Sequence, residues 1–148
     1  MAVKLGLDAK LYRNTGNYAS PVWVEITNVK NVTLNLETGE ADVTTRANNG
    51  WRATEPTLKD ASCDFEMNWD TTDAGFSAIQ NAFFNKTAIE LEIMDSDRTV
   101  ALAEGLRATF KVSKFTKTED LEQAQAVSVT VKPAAATNAP EWVVIAAS

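Results

Sequence analysis

The chain has 148 residues, with 14 Lys+Arg against 20 Asp+Glu and no His, a formal charge of −6. That length suits one domain able to bury a core without metal or disulfide staples. The missing histidines remove the commonest general base and transition-metal ligand, and the single Cys excludes an intrachain disulfide or a Cys-rich zinc site. The acidic balance speaks against a protein that grips duplex DNA, which needs a basic face; it is compatible with one that encloses nucleic acid without holding it.

The opening Met1-Ala2-Val3-Lys4-Leu5-Gly6-Leu7-Asp8 has one basic residue and an apolar run cut short at Asp8, unlike a signal peptide. No run approaches the ~20 apolar residues of a membrane-spanning helix, so no membrane insertion is expected. The sequons Asn31-Val32-Thr33 and Asn85-Lys86-Thr87 are read as chance in a cytoplasmic protein.

Val22 to Ile26 is the first strand expected. Val32, Leu34 and Leu36 then alternate with polar residues, Thr38-Gly39 supplies a turn, and Ala41 and Val43 resume the pattern, which predicts a hairpin. From Thr44 to Lys59 periodicity is lost, with Asn48-Asn49-Gly50-Trp51 and Glu55-Pro56 inside; a loop of that length usually has a job. Ala61 to Trp69 alternates strictly, with Ala, Cys, Phe, Met and Trp at odd positions and Ser, Asp, Glu and Asn at even ones: one face in a core, one in water.

The period then changes. Phe76, Ile79, Phe83 and Phe84 form a helical stripe, with Thr72-Asp73 as cap and Asn85-Lys86 as stop, predicting a helix over about 73–85. Strands follow at Ile89 to Met94, with Asp95-Ser96-Asp97 as a turn, at Leu106 to Ser113 and at Val127 to Lys132, where Pro133 ends the run; a short helical turn is expected at Thr118 to Glu122. Residues 134–140 resemble a linker, and the β-prone Glu141-Trp142-Val143-Val144-Ile145-Ala146 is expected to pair with a sheet edge, its own or a neighbour's. The expected fold is mainly β: an antiparallel β-sandwich or partly closed barrel over 1–133, with one flanking helix, a long loop at about 44–59 and an appended segment at 134–148.

Catalytic raw material is confined to carboxylates. Asp64 with Glu66, and Glu90 with Glu92, share strand faces, but such neighbours on a wet face serve solubility, and no catalytic, cofactor-binding or metal-binding residue is assigned. Asp70-Thr71-Thr72-Asp73 and Asp95-Ser96-Asp97 lack the ligand ladder of a calcium loop and read as turns and caps. Cys63 alternates with core residues and reads as an inert thiol. Trp69 falls on the core face, whereas Trp51 lies in the long loop, where an aromatic typically anchors a protein contact.

Together, Gly6 to Tyr12, Trp23 to Val32, the loop Arg46-Ala47-Asn48-Asn49-Gly50-Trp51, Met67-Asn68-Trp69-Asp70 and the closing Val127 to Pro133 resemble the major tail tube proteins of long-tailed bacteriophages. The likeness spans roughly residues 6–133. It implies homohexameric rings stacked into a tube whose β-lined lumen passes DNA without specific binding, assembled in the host cytoplasm and carried in the virion tail. It also implies tail terminator, tape measure and baseplate proteins as partners, and a loop reaching the next ring. Here that loop is Asn48, Asn49, Gly50, Trp51 and Arg52, with Trp51 and Arg52 as contacts. Asp64, Glu66, Glu90 and Glu92 are the lumen candidates, with Glu37 and the Arg107/Lys111 face competing. The tubes of type VI secretion and contractile injection machines share the architecture; a carbohydrate- or receptor-binding β-sandwich is the alternative outside that group.

Overall fold

The computed structural model describes residues 3 and 5–146. Its elements are β1 (Lys10–Asn14), β2 (Trp23–Glu25), β3 (Val29–Asp42), β4 (Thr54–Asn68), α1 (Ala74–Phe84), β5 (Ile89–Met94), β6 (Glu104–Thr118), β7 (Ala126–Pro133) and β8 (Glu141–Val144), with 3-10 turns at Gly6–Asp8 and Arg46–Asn48. All strand pairs are antiparallel, in the order β2-β1-β5-β6-β7-β4-β3, and β8 joins β6. The sheet does not close into a barrel. A groove of about 630 Å³, with Lys10, Leu11, Glu25 and Ile26 on one side and Asn31, Val32 and Thr33 on the other, marks the open seam between its ends.

β6 is the spine. Gly105–Phe110 pairs with β5 on one edge, while Phe110–Thr118 pairs with β7 on the other. β8 also pairs along Glu104–Arg107, where β5 already holds the first edge, so β7 and β8 share the second. Residues 134–140 are thus an excursion between two strands laid in line, and the C-terminal segment seals an edge of its own sheet.

The alternating apolar residues of β4, β6 and β7 face inward as expected, whereas Leu36 and Val43 of the pattern at 32–43 stay exposed. Cys63, Phe65 and Met67 of β4, Val127, Val129 and Val131 of β7, and Leu106, Ala108 and Phe110 of β6 form one buried cluster with Leu11, Ile26, Leu91 and Ile93. The helix covers it with Phe76 and Ile79, and Trp69 meets Phe76 edge-on at 4.9 Å between ring centroids. Asp73 caps α1 by accepting from the Gly75 N–H at 2.8 Å, as its position before the apolar stripe indicates. Burial pushes the Cys63 thiol up to about 12, which keeps it protonated and unreactive.

Three expectations are corrected. Thr38-Gly39 is not a hairpin turn: β3 runs through to Asp42, and Gly39 lies opposite two residues of β4, Thr57 and Leu58, a bulge on the partner strand that shifts the register by one and keeps the ribbon going. The loop is shorter than 44–59, because β4 begins at Thr54. Pro56 suggested a loop, yet its missing N–H is harmless in the part of β4 that pairs with β3 alone. Residues 118–122 are strand end and turn rather than a helical turn, and β1 is a strand that the short Leu11-Tyr12 pair did not announce.

Gly105 pairs with Met94 and Val143 where three strands meet, and a Cβ there would lie 2.0 Å from the Ile93 carbonyl oxygen. Gly105→Ala is expected to destabilise the fold by at least about 3 kcal/mol through strand displacement, measured by urea unfolding with Gly6→Ala, which meets nothing within 4 Å, as the neutral control.

Candidate assembly surfaces

The surface feature that stands out is an arm. β4 pairs with β7 only from Cys63 onward, so Thr54–Ser62 has β3 as its one partner. At about 3.4 Å per residue this two-stranded ribbon is roughly 30 Å long. From Thr54 to Asp60 and along the facing stretch of β3 its residues are exposed on both faces, including Leu36 and Leu58.

The tip, residues 43–53, is ordered by its own hydrogen bonds. The Val43 N–H donates to the Ala53 carbonyl at 3.0 Å, the Ala53 N–H donates to Thr44 Oγ1 at 2.8 Å, and the Thr45 N–H donates to Asn48 Oδ1 at 2.7 Å in a capping box. Asn49 and Gly50 turn the chain through left-handed conformations, φ 53° and 84°, which Asn and Gly tolerate best. The result presents Trp51, 79% exposed, beside Arg46 and Arg52, with no carboxylate among residues 43–53. At the neck, hydrogen bonds from the Thr44 hydroxyl and N–H hold the Asp42 carboxyl below its usual range. The predicted loop residues Asn48, Asn49, Gly50, Trp51 and Arg52 are therefore brought together on one projection.

The four carboxylates proposed from alternation separate into two environments. Asp64 and Glu66 lie on the polar face of β4, in a row with Thr130 and Ser128 of β7. Asp64 accepts from Asn35 Nδ2 at 3.1 Å and from the Thr130 hydroxyl. Glu37 and Asp60 continue this acidic strip along the arm, and Lys111, Lys114 and Lys132 flank it on β6 and β7. That flanking lysine strip becomes visible only when the register places Lys114 beside Thr130.

Glu90 and Glu92 do not face water, which corrects their reading as a wet face. Glu92 is 1% exposed and forms an ion pair with Arg98; Glu90 pairs with Arg107 and accepts from Asn14 Nδ2 at 2.8 Å. The second face of β1, β2, β5 and β6 is covered by the chain before β2 and by residues 95–103. There the Arg107 guanidinium lies 3.9 Å from the Tyr18 ring centroid and 5.0 Å from that of Trp23, while Arg98 stands 5.0 Å from the same indole. Glu141 of β8 joins through Arg107 at 3.7 Å and the Tyr18 hydroxyl at 3.1 Å. Arg107, raised as a competing lumen residue, is thus an internal strut. Among the described residues no group of three or more His, Cys, Asp or Glu could hold a metal ion, and no helix is long and apolar enough to cross a membrane.

Residues 9–137 match the phage tail tube protein family. The chain belongs to that family. Solved structures share its fold. The tail of an empty gene transfer agent particle with C6 symmetry superposes with a TM-score of 0.73 at 16% identity, covering 95% of this chain and 99% of that one. The SPP1 tail tube gives 0.69 at 16% identity over 88% and 75%, and the baseplate of the anti-feeding prophage 0.56 at 8% over 91% and 90%. Comparison with curated protein sequences yields no match. The tail tube family thus accommodates an arm, an open sheet and an internal charge cluster in one subunit.

Arg98→Ala would leave the Glu92 carboxylate buried without its partner and is expected to cost roughly 3–5 kcal/mol. Adding Glu92→Gln to that variant should restore part of the loss; thermal and urea unfolding of both variants measure it.

Proposed function

We propose that this chain forms homohexameric rings that stack into a hollow tube, assembled in the bacterial cytoplasm and carried in the virion tail, through which phage DNA is delivered. The supporting observation is the ribbon of β3 and β4, which extends beyond the core with exposed apolar side chains and, among the described residues, no third strand beside Thr54–Ser62. A lone hairpin is marginal in water, and an ordered tip carrying a tryptophan is built to be covered. Head-to-tail contacts that repeat without closing produce a filament, which suits a projection at one end of each subunit. Tail terminator, tape measure and baseplate proteins would meet the tube at its ends and inside it, and no cofactor takes part.

The polar face of β3, β4 and β7 is proposed as the lumen lining, with Asp64 and Glu66 as its centre. Carboxylates there repel phosphate and keep the genome sliding. The lysines beside them limit the field to a strip. Glu92, buried with Arg98, and Glu90, half-buried and paired with Arg107, are left out of this proposed lining.

Negative-stain microscopy of the purified protein tests the reading: six-fold rings and hollow tubes are expected, and particles that remain single at high concentration would contradict it. Trp51→Ala and deletion of 46–52 are each expected to leave the melting temperature within a few degrees and to abolish tubes; tubes of normal length from the deletion would remove the tip from stacking. Asp64→Lys/Glu66→Lys is expected to assemble normally and to slow DNA release severalfold in an ejection assay, whereas failure to polymerise would place those residues at a subunit contact.

A further inference from the structure

β4 runs from the arm tip at Thr54 to Asn68 at the opposite end of the molecule, where the β6–β7 turn and the start of α1 lie. That far end is tied together: Asn68 pairs with Ala126, and the Trp69 N–H donates to the Gln125 carbonyl at 2.8 Å. Its turn, residues 119–125, presents Leu121, 101% exposed, among Glu119, Asp120 and Glu122. Nearby, Asp70 and Asp73 add charge while capping their own turn and helix. Lys117 is the adjoining cation, engaged with Glu119 and lying 4.0 Å from the Trp69 ring centroid.

The outermost residues at the two ends of one strand therefore carry opposite charge around an exposed apolar residue: Trp51 with Arg46 and Arg52 at the tip, ahead of Asp42 and Glu55 at its neck, and Leu121 with Glu119, Asp120 and Glu122 at the far end. Resting on the stacking reading above, we infer that the arm tip of one copy docks on the β6–β7 turn of the copy in the next ring, Trp51 covering Leu121 and the arginines facing the carboxylates. Two like ends repel, so the contact forms head to tail only, and a translation along β4 repeats it indefinitely. The tip is already shaped by its own hydrogen bonds, so little ordering is lost on docking. Exposed charge pairs of this kind weaken with salt, which makes ring stacking sensitive to ionic strength.

Charge reversal tests the contact through co-assembly. One variant carries Arg46→Glu/Arg52→Glu and a second carries Asp120→Lys/Glu122→Lys, all at exposed positions outside the core. Each alone presents like charges at both ends and is expected to give at least tenfold fewer tubes than wild type, with unchanged circular dichroism. Mixed in equal amounts, they alternate with complementary ends, and tubes should return to within about threefold of wild type. Combining all four substitutions in one chain should also restore tubes. Wild-type tubes together with normal tubes from either variant alone, or a mixture that stays unassembled while both variants remain folded, would overturn this contact and leave ring stacking standing. Wild-type protein that never forms tubes overturns the stacking reading and this contact together.

Discussion

A two-stranded ribbon has too little to pack against to stand alone in water. That constraint governs the molecule. β3 and β4 are long strands, 14 and 15 residues, but the core supports them only from the Ala61 level downward. Above it, hydrogen bonding continues while burial stops, so the backbone is satisfied and the side chains are not. Every other element serves to make the supported half rigid enough to carry the unsupported half: β6 joins both halves of the sheet, α1 closes the core, and β8 seals the edge of β6 beyond the end of β7.

The internal charge cluster stiffens the opposite face. Burying Glu92 is costly unless a cation meets it, and Arg98 does so while lying over Trp23. Arg107 repeats the arrangement with Glu90 between Tyr18 and Trp23, and Glu141 couples the last strand to it. These interactions bind the chain before β2, the turn after β5 and the C-terminal strand into one block. A subunit that transmits force along a filament gains from such a block, since deformation inside each copy would otherwise accumulate along the stack.

Much of this was legible in the residues, and the failures have physical causes. Strict alternation from Ala61 to Asn68 and the Phe76, Ile79, Phe83 spacing located β4 and α1, because a face against a core admits few exceptions. The arm reads as a loop because both of its faces meet solvent in one subunit: without burial, alternation fades, and Gly39 and Pro56 look like loop signals although Gly39 only faces a bulge on β4 and Pro56 takes a one-sided strand position. Glu92 departs from its expected wet face for the opposite reason. A carboxylate on an alternating strand normally means water, and the arginine that reverses the inference comes from the turn that follows β5, a tertiary fact that spacing along one strand does not contain. The resemblance to tail tube proteins rested on the order of several segments rather than on any one motif, and the family match over residues 9–137 carries it.

Amide hydrogen exchange, compared between dispersed and assembled protein, addresses the governing constraint directly. The arm amides of residues 36–42 and 54–61 should exchange quickly in single subunits and at least a hundredfold more slowly in tubes, while β7 stays equally protected in both. Arm amides as protected in the single subunit as those of β7, with no gain on assembly, would contradict the account.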